Sequence, residues 1–140
     1  MSRKRERIRG LMEQWRENDQ DARYLVAFVG CFNRQLFYEA HEVLEELWLP
    51  NRQGLDGPFY KGLIQLAGAF VHVQKKRSGP AAALLSLAQS NLRNYPSSHH
   101  GLDVLYTKAL IEECALQLKE VGLNRNGGWQ AQWPTLRLSK

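Results

Sequence analysis

A chain of 140 residues with 44% hydrophobic and 24% charged content has the size and balance of one globular domain, able to bury a core without a disulfide framework. The longest apolar run, residues 63–73, is interrupted by Gln65 and His72 and falls well short of the roughly 20 residues of a membrane helix, so a bilayer span is excluded. The net charge of +5 raises nucleic acid as a partner, but residues 1–9 hold five basic side chains against one acidic and residues 119–140 hold four against one. The span between them carries 10 basic and 12 acidic groups, so the basicity sits at the ends, where it is the mark of a solvated helix face more often than of a nucleic-acid surface.

In chain order, the charged start carries Ile8, Leu11, Met12 and Trp15 at helical spacing and predicts a polar helix over residues 2–18. No apolar stretch behind it resembles a signal peptide, so a cytoplasmic home is expected. Asp19 and Asp21 signal the start of a second helix over 22–32, with Tyr24, Leu25, Phe28, Val29 and Phe32 as its apolar stripe. After a tight connection at 33–36, residues 37–48 form a third, ended by Pro50 and the loop NRQGLDG. Pro58 suits the first turn of a fourth helix to about residue 76, apolar nearly all round and therefore central. Residues 81–95 make a fifth helix, 96–101 break it, and a last one over 102–121 turns Leu105, Ala109, Leu110, Cys114, Leu118 and Val121 inward. The expected architecture is an all-α, single-domain helical bundle of about five to six helices: a basic N-terminal helix or arm (1–21), the bundle (22–121) and an irregular tail (122–140). Cys31 and Cys114 lie far apart in helical patterns and read as buried, reduced thiols.

The chemistry concentrates in two helices. On the third, Phe37, Leu44 and Trp48 mark the buried stripe, His41 falls within it, and Glu42 and Glu45 lie beside it. On the fourth, Gln65 and His72 share one face with Gly62, Gly68 and Ala69, small residues that let a neighbouring backbone approach. A polar group buried without a partner costs about 1–3 kcal/mol, so these groups are expected to meet in one pocket lined by His41, Glu42, Glu45, Trp48, Gln65 and His72. Three readings of that pocket stand open: a satisfied hydrogen-bond network that sets helix register, a divalent-metal site using His41, Glu45 and His72, and a small-ligand or acid/base site. If the pocket catalyses, metal-assisted hydrolysis with Glu42 or Glu45 as base fits it best, although HExxE lacks the second histidine that makes HExxH specific. A rival is an interaction or dimerisation module anchored by Trp129 and Trp133 of the tail, and weak nucleic-acid binding through the basic ends ranks below both. The His99-His100 pair is taken as part of an exposed loop in preference to a metal site.

FNRQLFYEAHEVLEELW (residues 32–48), followed by FYKGLIQLAGAFVHVQKKRSGPAAALL (residues 59–85), closely resembles the domain-of-unknown-function family 309, small bacterial and archaeal helical proteins. The paired motifs are EAHExLExxW and GLIQ with a histidine seven residues past the glutamine, and the likeness covers roughly residues 22–120. The resemblance implies a helical bundle in which Glu39, His41, Glu42, Glu45, Trp48, Gln65 and His72 occupy signature positions, and it implies no activity. Where a glycine would be expected in the turn before the motif helix, this chain has Gln35.

Overall fold

A computed structural model describes residues 20–120, 129 and 132–139. They form five helices and one small hairpin: α1 (Gln20–Asn33), α2 (Phe37–Asn51), α3 (Gly57–Gln74), α4 (Ser78–Leu92), β1 (Ser98–His99), β2 (Leu102–Asp103) and α5 (Val104–Glu120). The expected helix over 2–18 lies outside the described residues.

The α1 helix opens with Asp21 in its first turn, where a carboxylate meets the positive end of the helix dipole, and buries Leu25, Phe28, Val29 and Phe32. It ends on Gln35, whose φ of 65° is left-handed. The Gln35 amide donates to the Phe32 carbonyl at 2.9 Å and the Leu36 amide reaches back to Cys31 at 2.9 Å, the pairing of a Schellman turn. The backbone thus takes the conformation a glycine would favour, with a glutamine carrying the steric cost.

Helix α2 runs one residue past Pro50, and the Asn51 side-chain amide donates to the Leu47 carbonyl at 2.8 Å to close its end. Pro58 lies in the first turn of α3, as its missing N–H favours. Helix α3 buries twelve residues and packs on α2 on one side and α4 on the other, which makes it the centre of the bundle. At Gly62 a Cβ would meet Leu92 and Asn91 side-chain atoms at 3.0–3.2 Å, so the absent side chain is what lets α4 come this close.

Phe32, Phe37 and Phe70 form one aromatic knot, with ring centroids 4.9 to 6.1 Å apart. Trp129 and Trp133 of the tail pack on it, Trp129 against Phe70 at 5.5 Å and Trp133 against Phe37 at 5.7 Å. The described part of the tail is therefore a strap whose two tryptophans, each partly buried, pack on the core.

Two expectations need correction. Helix α5 buries Val104, Thr107, Ile111, Cys114 and Leu118, whereas Leu105 is 65% exposed and Ala109 is also exposed. Its register is fixed by Val104, the residue that follows β2, and Leu102 belongs to the strand. The expected break at 96–101 contains an antiparallel hairpin in which Ser98 pairs with Asp103 and His99 with Leu102. Its two turn residues, His100 (φ 48°) and Gly101 (φ 83°), are both left-handed, as a two-residue turn of this twist requires.

Candidate metal centre

The hairpin carries the chemistry. Asp56 is the residue before α3, and its carbonyl accepts the Tyr60 amide at 3.1 Å while its side chain makes no bond to the helix end. The carboxylate instead spans two imidazoles. His99 Nε2 lies 2.8 Å from Asp56 Oδ1 and His100 Nε2 lies 2.7 Å from Oδ2. An ionised carboxylate only accepts, so each ring donates Nε2–H to it.

Aromatic walls hold the rings. Phe59 meets His99 edge-on at 4.7 Å, Tyr60 stacks with His100 at 6.1 Å and 21°, and the two imidazole centroids are 4.4 Å apart. Tyr95 donates its hydroxyl to the Leu55 carbonyl at 2.6 Å and accepts the Phe59 amide at 3.2 Å, which ties the loop ahead of Asp56 to the segment ahead of the hairpin. Asp21 Oδ2 approaches the same His100 Nε2 to 3.5 Å and accepts a hydrogen bond from the Tyr60 hydroxyl.

Burial pushes the Asp56 carboxyl up, but the hydrogen bonds from His100 and His99 and the charges of both rings outweigh it and hold the group below its ordinary value. Asp56 stays an anion, the form in which a carboxylate binds a cation. Asp56, His99 and His100 each offer one ligand atom, and the three atoms lie within 4.8 Å of one another. Among the described residues this is the one set of three or more histidine, cysteine or acidic side chains so gathered. Two imidazoles and a carboxylate suit Zn²⁺ and the neighbouring divalent transition metals.

The residues singled out on α2 and α3 are arranged differently. His41 is half-buried and pairs with Glu45 on its own helix, Nε2 to Oε2 at 3.4 Å, with the Tyr38 ring 5.9 Å away. Glu42, expected farther round the helix than Glu45, is 6% exposed, and the buried stripe itself is Phe37, Ala40, Val43, Leu44 and Leu47. Trp48 is partly buried beneath the Lys61 ammonium, 4.5 Å from the ring centre. Gln65 is buried, but its Oε1 accepts from Asn91 Nδ2 of α4 at 2.7 Å, a partner outside α2. His72 is in the last turn of α3, half-buried, with an Nδ1 that is buried and meets no hydrogen-bond partner among the described residues. His41, Glu45 and His72 are not gathered into a ligand set. The α2 stripe is thus rotated from the expected one, toward Ala40, Val43 and Leu47 and away from His41 and Trp48, and helical spacing does not supply which neighbour each polar face turns toward.

The centre that is gathered draws on an aspartate in the loop before α3 and on a pair of histidines more than forty residues later. One signal for it was available: His100-Gly101 is the type of dipeptide that builds a two-residue hairpin with both residues left-handed. The partner Asp56 left no trace in local pattern.

Residues 25–84 match the model of the family described as domain of unknown function (DUF309). The match takes in most of α1, all of α2 and α3, and the first half of α4, so Asp56 falls within it while His99 and His100 lie beyond it. An uncharacterised protein of Aquifex aeolicus is 31% identical to the chain over 92 residues, 66% of this chain. The chain spans 27% of that relative's length.

Proposed function

We propose that this protein binds a divalent metal ion through Asp56, His99 and His100. The observation that carries the proposal is the gathering of three ligand atoms from two distant segments within 4.8 Å, around an aspartate kept ionised by its surroundings. A metal would need the Nε2 lone pair of each ring, so a neutral imidazole would carry its proton on Nδ1 and a doubly protonated one would have to release a proton; acid therefore weakens uptake. The two buried free cysteines, Cys31 and Cys114, support a reducing, cytoplasmic setting for it.

The test is a calorimetric titration of untagged, chelator-washed protein with Zn²⁺ and Ni²⁺, backed by elemental analysis. One equivalent should bind to the wild type and to a His41→Ala/Glu45→Ala double variant, and none to Asp56→Asn or His99→Ala/His100→Ala. Wild type that takes up no metal overturns the proposal. Loss of binding in the α2 double variant alone would move the site to the second reading, a ligand pocket on α2, which the His41–Glu45 pair beside the buried Glu42 favours.

A further inference from the structure

From the same centre we infer that the metal keeps one coordination position open to water or a small oxygen- or nitrogen-donor anion, and that Asp21, oriented by Tyr60, stands beside that position as an outer-sphere carboxylate. The inference rests on the metal reading above and adds to it the coordination number and a fourth residue.

Its basis is the placement of Asp21. In a closed tetrahedral site with bonds of about 2.0–2.1 Å, each ligand atom sits roughly 3.3 Å from the other three. Asp21 Oδ2 comes within 3.5 Å of His100 Nε2, yet the carboxylate does not join the set of mutually close atoms formed by Asp56, His99 and His100. It flanks one ligand and stands off from the group. That is where a carboxylate can accept a hydrogen bond from a metal-bound water. The Tyr60 hydroxyl donates to the same Oδ2, and Tyr60 is itself 1% exposed, fixed among the core residues of α3 and stacked on the His100 ring. A buried phenol that anchors both the carboxylate and a ligand ring gives Asp21 a defined position relative to the metal, the role an outer-shell partner plays in tuning such a site.

Three protein ligands and an exchangeable fourth position are the arrangement of a Lewis-acid centre, in contrast to the four-ligand closure of a purely structural site. A metal held by Asp56, His99 and His100 would supply Lewis acidity, and Asp21 is placed to accept a hydrogen bond from a water bound to it. The centre is partly open to solvent, with Asp56, His99 and His100 side chains each 20–28% exposed, so a small molecule can reach it.

Cobalt(II) serves as the probe, because its visible spectrum reports coordination directly. The full-length wild type loaded with one equivalent of Co²⁺ should change spectrum on titration with azide, which takes the open position. Asp21→Asn should retain one equivalent of Co²⁺ with an affinity lowered by no more than about 10- to 100-fold, and should bind azide at least several-fold more tightly, because the neighbouring negative charge is gone. Tyr60→Phe, which removes only the hydroxyl, should bind Co²⁺ as wild type does and shift the azide affinity in the same direction by less. If Asp21→Asn loses cobalt as completely as Asp56→Asn, Asp21 is an inner ligand, the centre is closed and the inference falls while the metal reading stands. If the wild-type cobalt spectrum ignores azide, or if Asp21→Asn leaves azide affinity unchanged, the inference likewise falls. Failure of the wild type to bind Co²⁺, Zn²⁺ and Ni²⁺ removes both.

Discussion

At the scale of single residues, Asp56 shows how a loop aspartate becomes a candidate ligand. Its position just before α3 puts it at a helix N-terminus, where negative charge is favoured, and His99 and His100 add hydrogen bonds and charge that overcome the cost of partial burial. A folded-state carboxyl held below its unfolded value contributes stability that is fully present above about pH 4 and is lost as pH falls through the folded value. Urea denaturation of metal-free protein from pH 3 to 6 should therefore show the advantage of wild type over Asp56→Asn shrinking at the acid end of the range. An advantage that stays constant down to pH 3 would mean the aspartate gains nothing from its histidines. Gln35 makes a second point at this scale. A glutamine at φ 65° shows that the turn is imposed by the helices it joins, since nothing in the residue itself prefers the left-handed region.

At the scale of elements, the hairpin is too short to stand by itself and depends on what lies against it. The C-terminal segment supplies that support: Leu102 bridges to Leu138, the Asp103 amide donates to the Arg137 carbonyl at 3.0 Å, and the Ser139 amide donates to the Gly101 carbonyl at 2.8 Å. Arg137 Nε also reaches Asp103 at 3.2 Å, and its guanidinium lies over the Tyr106 ring. The strap is tied to α1 by Asn33, which donates to the Leu136 carbonyl at 2.8 Å and accepts the Leu136 amide at 2.7 Å, while the Leu136 side chain is buried. Asn33→Ala removes both bonds and should cost about 1–3 kcal/mol of unfolding free energy. Because the strap braces the hairpin, the same substitution should weaken metal binding severalfold while leaving one equivalent, as read by calorimetry. Unchanged metal affinity would uncouple strap from centre.

Over the whole molecule, the aromatic knot joins the parts that the centre needs in register. Phe70 is fully buried and touches Phe32 of α1, Phe37 of α2 and both tail tryptophans, so Phe70→Ala should cost about 3–5 kcal/mol. Denaturation followed by tryptophan fluorescence and by far-ultraviolet dichroism should give coincident transitions, and tail fluorescence melting ahead of the helices would show that the strap is a separate unit. The number, type and order of the helices within the described residues were legible in the chain because apolar residues recur at helical spacing and Pro50, Pro58, Gly79 and Pro80 punctuate them; among the described residues no helix is long and apolar enough to cross a membrane. The α2 and α3 polar residues were legible as unusual, and the segment that carries them matches the DUF309 model. Their partners were not, since a period of 3.6 residues says which side chains share a face and nothing about the rotation of one helix against the next. Gln65 turning to Asn91 on α4 is an outcome of that rotation, whereas the pairing of His41 with Glu45 follows from the helical spacing itself. The sequence by itself determined the helices and their order, because hydrophobic periodicity and turn chemistry act over neighbouring residues. Only the tertiary structure decided that Asp21, Asp56, His99 and His100 converge, because their meeting depends on α1, α3 and a strapped hairpin packing at one end of the bundle, and packing couples residues that lie far apart in the chain.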